Sequence, residues 1–107
     1  MKIQLWSNDL VGRMRLESVW KTSGFTLLKK TTAETPDCIV VDLGMRDSLA
    51  RIAQLRASHP QVDIVAFGAK FDEAAFKATR EAGATELAAL NSLVERIARR
   101  FPLPHKV

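Results

Sequence analysis

Residues 38–42 read Cys38-Ile39-Val40-Val41-Asp42, an unbroken apolar run, mostly β-branched, that closes on a carboxylate. Apolar residues in succession, without alternation, are the pattern of a strand covered on both faces, as in parallel sheets. The segment just before it, Thr31 to Asp37, is too polar and too short for a full helix. Just after it, Asp47 and Ser48 can cap a helix running to about Ser58, with Leu49, Ile52 and Ala53 turned inward and Pro60 beyond its end.

The same grammar repeats outward in both directions. Val62 to Phe67 is a second buried strand, closed by Gly68. Asp72 caps a helix through Phe76 to Ala82, and Gly83 stops it. Leu87 to Leu90 reads as a last short strand. Ser92 followed three residues later by Glu95 is a capping box. The helix it starts is lined by Leu93, Val94, Ile97, Ala98 and Phe101, until Pro102 ends it. Towards the N-terminus, Phe25 to Leu28 is a strand, with Lys29 and Lys30 at its end. Lys2 to Trp6 is another, followed at once by Ser7, Asn8 and Asp9, all good helix N-cap types. The helix from about 9 to 23 carries Leu16, Val19 and Trp20 at i, i+3, i+4, and Met14 four residues after Leu10, so it reads as amphipathic. Gly24 is its stop.

Strands alternating with helices predict an α/β domain with a parallel sheet covered on both faces. Five strands suit a three-layer, flavodoxin-like sandwich in the order 2-1-3-4-5. One connection departs from that plan. Crossovers between parallel strands normally take a dozen or more residues, yet seven separate Lys30 from Cys38. Seven extended residues reach about 24 Å, enough to run back along a short strand and pass one neighbour. The second crossover helix is therefore expected to be missing or cut to one turn.

The bulk composition agrees with one domain over residues 1–107, since single domains run to about 100–200 residues. Hydrophobic residues make up 47% and charged residues 26%, the balance of a globular protein rather than a disordered one. A chain of this size buries roughly two-thirds of its unfolded surface and needs no staples. The single cysteine, Cys38, lies in an apolar run without metal-type spacing and reads as an inert buried thiol. The start, MKIQLWSND, lacks the apolar stretch of a signal peptide, and no segment approaches the roughly 18 apolar residues of a membrane span. A cytoplasmic location is expected.

The formal charge is +4, and residues 1–30 hold six basic against two acidic side chains. That surplus would favour an acidic partner or a nucleic-acid backbone, but a solvated helix face explains so modest an excess equally well. Nucleic acid is not expected as a partner. His59 and His105 have no Ser or Cys nucleophile at a readable spacing, and Gly44 and Gly68 make no nucleotide-binding fingerprint. An enzyme is not expected.

Ligands of open parallel sheets sit beyond the carboxyl ends of the strands. That edge collects Ser7, Asn8 and Asp9, then Asp42, Gly68, and Leu90 with Asn91. Here the chain resembles the receiver domain of two-component signalling, over nearly its whole length. Ile39-Val40-Val41-Asp42-Leu43 looks like that family's strand carrying the phosphoacceptor aspartate. Glu81-Ala82-Gly83-Ala84-Thr85 looks like the turn before its last strand.

The resemblance implies a phosphoryl site that is largely missing. Receivers hold Mg²⁺ between an acidic pair and the phosphoacceptor, and the pair falls on Ser7 and Asn8. Asp9 stands one position on. The family's Ser/Thr falls on Gly68, its Lys falls near Leu90, and its Pro falls on Asn91. Lys70 is a candidate replacement cation without a motif behind it. Only Asp42 matches, and a strand-end carboxylate hydrogen-bonded to backbone amides is the plainer reading of it. Asp9, Asp47 and Asp72 are more simply helix caps.

The implied function is a non-catalytic pseudo-receiver acting through protein–protein interaction, with no cofactor. Its contact edge is residues 72–101, in a homodimer or with another protein, through Lys77, Arg96, Arg99 and Arg100. Three alternatives stand beside it: an atypical phosphorylatable receiver using Asp42 and Asp9 with Mg²⁺, a nucleic-acid binder using the basic first helix, and a small-ligand sensor at the former phosphate pocket.

Overall fold

The apolar run at 38–42 forms the middle strand of a five-stranded, wholly parallel sheet. The computed structural model describes residues 2–29, 34–68 and 72–100, apart from the side chains of Asn91 and Arg100. In chain order the elements are β1 (Lys2–Trp6), α1 (Leu10–Thr22), β2 (Thr26–Leu28), β3 (Cys38–Asp42), α2 (Ser48–Ser58), β4 (Asp63–Gly68), α3 (Glu73–Ala82), β5 (Glu86–Ala89), a 3₁₀ turn (Leu90–Ser92) and α4 (Leu93–Arg100). The strand order is β2-β1-β3-β4-β5, the flavodoxin-like arrangement.

Period-two alternation divides the sheet into two cores. On one face Ile3, Leu5, Val40, Val65 and Phe67 pack with Leu16 and Trp20 of α1 and with Leu93 and Ile97 of α4. On the other, Ile39, Val41, Ile64 and Ala66 pack with Ile52 and Leu55 of α2. Cys38 is fully buried. Among the described residues no helix is long and apolar enough to cross a membrane.

The connection from β2 to β3 holds no helix among its described residues, Lys29 and 34–37. By the right-handed crossover rule, a helix there would cover β1 and β2 on the α2–α3 face. Polar and aromatic groups lie on that part of the face instead. The Gln4 amide donates to the Lys29 carbonyl at 3.0 Å, and the Trp6 indole N–H donates to Gln4 Oε1 at 2.9 Å. The Arg51 guanidinium lies 4.8 Å above the Trp6 ring. These contacts leave Gln4 buried. At the amino end, Lys2 and Asp37 close the same connection: the Lys2 N–H donates to Asp37 Oδ2, and the Asp37 N–H to the Lys2 carbonyl, each at 2.8 Å.

Some apolar helix positions face outward. Of the apolar set on α1, Leu16 and Trp20 are buried, Val19 is 38% exposed, and Leu10 and Met14 are more than 60% exposed. At about 100° per residue, Leu16 lies roughly 240° around the axis from Leu10, so the two pairs occupy different faces. In α2 the buried set is Ser48, Ile52 and Leu55, which turns Leu49 and Ala53 outward. Ala98, beside buried Ile97, is exposed for the same reason. The last strand ends at Ala89, and Leu90 begins the 3₁₀ turn. Ser92 lies in that turn, where its hydroxyl donates to the Ala89 carbonyl, so the expected capping box is replaced. Asp47 stands at the N-cap of α2 without a side-chain cap bond. Phe101, Pro102 and His105 lie outside the described residues.

At the amino edge Arg56 ties α2 to the sheet. Its Nε donates to the Gly83 carbonyl at 2.9 Å, Nη1 to the carbonyls of His59, Pro60 and Val62, and Nη2 to Thr85 Oγ1. Gly83 carries a φ of 122°, a conformation that L side chains rarely adopt. A Cβ there would also meet Arg56 Cβ at 2.8 Å.

Candidate functional site

The order β2-β1-β3 puts the carboxyl ends of β1 and β3 side by side, with Trp6 opposite Val41. The next residue on each strand is therefore Ser7 and Asp42, and the two meet. The Ser7 hydroxyl donates to Asp42 Oδ2 at 2.7 Å. Asp42 Oδ1 accepts the Gly44 backbone N–H at 2.8 Å. Ser7 Oγ in turn accepts the Asp9 N–H at 3.2 Å. Ser7 is buried, at 3% exposure, while Asp42 is half-buried. Both carboxylate oxygens thus have fixed donors, one from each flanking loop.

The other expected pocket residues are less closely gathered. Asn8 is exposed. Asp9 is the N-cap of α1, its carboxylate accepting the Gly12 N–H at 3.3 Å, so it is committed to its own helix. Gly68 ends β4 against the Leu43 side chain, where an added Cβ would lie 3.2 Å from Leu43 Cβ. Leu90 is 54% exposed and shares a groove with Asp9, Gly68 and Val11 rather than facing Asp42. Lys70 lies outside the described residues.

A hard divalent cation wants several oxygen ligands, preferably anionic. The end of β1 offers a serine hydroxyl already donating and accepting, and an aspartate folded onto its helix. Asp42 alone remains, with both oxygens engaged. These residues do not fit a Mg²⁺ site of the receiver kind. Among the described residues no group of three or more His, Cys, Asp or Glu side chains is placed to hold a metal.

The expected partner edge carries its charges partly paired. Lys77 is exposed on α3. Arg96 reaches Glu86 at 2.6 Å and Arg99 reaches Glu95 at 3.5 Å; Arg100 is described through its backbone alone. α1 carries an apolar surface outside the expected edge. Leu10, Val11 and Met14 are all exposed there, and Val11 lines the same groove as Leu90. The sequence does hold the signal, as two apolar i, i+4 pairs on one helix.

No protein-family model and no curated protein matches the chain. Solved structures do. The chain is similar to a response regulator from Thermotoga maritima, at 18% identity and TM-score 0.76, covering 92% of this chain and 94% of that one. An orphan response regulator of H. pylori matches at 17% identity and TM-score 0.76, over 94% and 95% of the two chains. The Mn²⁺-bound form of response regulator Rcp1 matches at 14% identity and TM-score 0.77, over 99% of each. The chain has the response-regulator receiver fold.

Proposed function

We propose that this domain is a pseudo-receiver, a signalling module that works through protein contacts and does not take a phosphoryl group on Asp42. The receiver fold supports a signalling role. The observation that carries the finer reading is the Ser7–Asp42 hydrogen bond. Carboxylate phosphorylation develops negative charge that a cation and preorganised donors must offset. Here a neutral hydroxyl holds one carboxylate oxygen, and the positions of the family's hydroxyl and lysine carry Gly68 and Leu90.

Partner contact through residues 72–101 remains the reading for the interface, in a homodimer or with another protein. Exposed ion pairs such as Arg99–Glu95 are worth little, so Arg99 can exchange partners on binding, whereas Arg96 is held by the less exposed Glu86. The exposed Leu10, Val11 and Met14 favour a second contact surface on α1, because contiguous exposed apolar side chains commonly mark interaction sites.

Ligands that bind the folded state raise its melting temperature. Titration with Mg²⁺, alone and with beryllofluoride, is expected to leave the melting temperature unchanged. A rise that requires Mg²⁺ and disappears in Asp42→Asn would favour the phosphorylatable alternative.

A further inference from the structure

We propose a binding site for a neutral, largely apolar two-ring molecule in the cleft between α2 and α3, next to the Asp42 loop. The cleft has a volume of about 370 Å³. An apolar cavity of about 150 Å³ takes benzene, so this one has room for two fused rings. It also falls within the roughly 300–1,000 Å³ of small-molecule sites. It opens at the carboxyl ends of β3 and β4, where open α/β sheets receive ligands.

The space exists because Gly44, Gly68, Ala75 and Ala78 line it with little or no side chain. Leu43 and Leu49 provide apolar walls, and Leu49 is 42% exposed on the outer side of α2, where it borders the cleft. The polar lining is Ser48 and Thr79, both buried. The Thr79 hydroxyl donates to the carbonyls of Ala75 and Phe76 at 3.0 Å each, and the Ser48 hydroxyl makes a longer contact of 3.4 Å with the Leu43 carbonyl. Thr79 therefore offers a ligand an acceptor, while the long Ser48 contact leaves that hydroxyl able to accept or to donate. No charged side chain lines the cleft among the described residues, which disfavours phosphates, nucleotides and carboxylates. The complementary ligand is a planar neutral molecule with one hydroxyl or N–H donor, of the indole or naphthol type.

Occupancy would be felt at Asp42, because the Gly44 amide that holds Asp42 Oδ1 at 2.8 Å belongs to the cleft wall. The proposal does not rest on the pseudo-receiver reading, since Asp42 itself does not line the cleft.

The test is a titration of the whole chain with 2-naphthol, followed by amide NMR, with naphthalene-2-sulfonate as the charged counterpart. The expected result is saturable one-to-one binding with a Kd on the order of 1 mM or tighter, as a ligand of this size permits. The shifts should centre on Gly44, Ala75 and Ala78, and the sulfonate should bind at least tenfold more weakly. Ala78→Leu fills the cleft and should weaken 2-naphthol at least tenfold while the melting curve stays cooperative. Should that variant not fold, Ala75→Val serves in its place. Binding that does not saturate, shifts centred on α1 and α4, an equal affinity for the sulfonate, or unchanged affinity in a folded cleft-filled variant each overturn the proposal.

Discussion

The Ser7 hydroxyl donates a 2.7 Å hydrogen bond to Oδ2 of Asp42, joining the carboxyl ends of two neighbouring strands. A buried hydroxyl bonded to a charged acceptor is worth more than a neutral pair, though partial exposure of Asp42 lets water compensate. Ser7→Ala is expected to lower stability by about 1 kcal/mol in urea unfolding. Ser7→Asp brings a second carboxylate against Asp42 and should destabilise more, with a melting temperature that Mg²⁺ then raises. Insensitivity of Ser7→Asp to Mg²⁺ would show that the edge lacks the geometry for a cation even with the charge restored.

Arg56 serves five acceptors on two segments, 59–62 and 83–85, through one planar fork. Lysine keeps the charge but concentrates its donors at one point. Arg56→Lys should therefore cost about 2 kcal/mol, nearly as much as Arg56→Ala. Comparable midpoints for Arg56→Lys and the parent in denaturant unfolding would mean that charge alone matters at this edge.

The helix caps separate cleanly. Asp72 accepts the Ala75 N–H at 2.8 Å, and Asp72→Ala should cost about 1 kcal/mol. Asp47 makes no cap bond and reaches Arg51 at only 3.9 Å, with 64% of its side chain exposed. Asp47→Ala should stay within about 0.5 kcal/mol of the parent. Equal effects of the two substitutions on thermal stability would contradict this assignment.

The two apolar pairs of α1 give the sharpest contrast. Trp20→Ala should cost about 3–5 kcal/mol, since Trp20 is 1% exposed in the core. Leu10→Ser and Met14→Ser should change stability by about 0.5 kcal/mol or less. If they weaken association with a partner or between copies while stability holds, α1 is a contact surface; a loss of stability as large as that of a core residue would place them inside.

What the sequence made legible follows from the strength of each local signal. The runs at 38–42 and 62–67 and the caps at Asp9 and Asp72 led to the sheet and its order, because buried parallel strands and capped helices leave little choice of period. The face of α1 was ambiguous because both Leu10–Met14 and Leu16–Trp20 have helical spacing, and only the strand beneath decides between them. The seal made by Gln4, Trp6 and Arg51 depends on side chains far apart in the chain. At the edge, the sequence marks Ser7 as an N-cap type and as the place of an absent carboxylate, not as a partner of Asp42. Its contact with Asp42 was implicit in the order 2-1-3, which makes the residues after β1 and β3 neighbours, but a serine hydroxyl carries no motif.

The proposed pseudo-receiver role requires that Asp42 take no phosphoryl group. The most direct measurement is intact mass after incubation with acetyl phosphate and Mg²⁺, for the parent and for Asp42→Asn. One unmodified species is expected for both. An acid-stable, base-labile phosphoryl adduct on the parent that is absent from Asp42→Asn would contradict it.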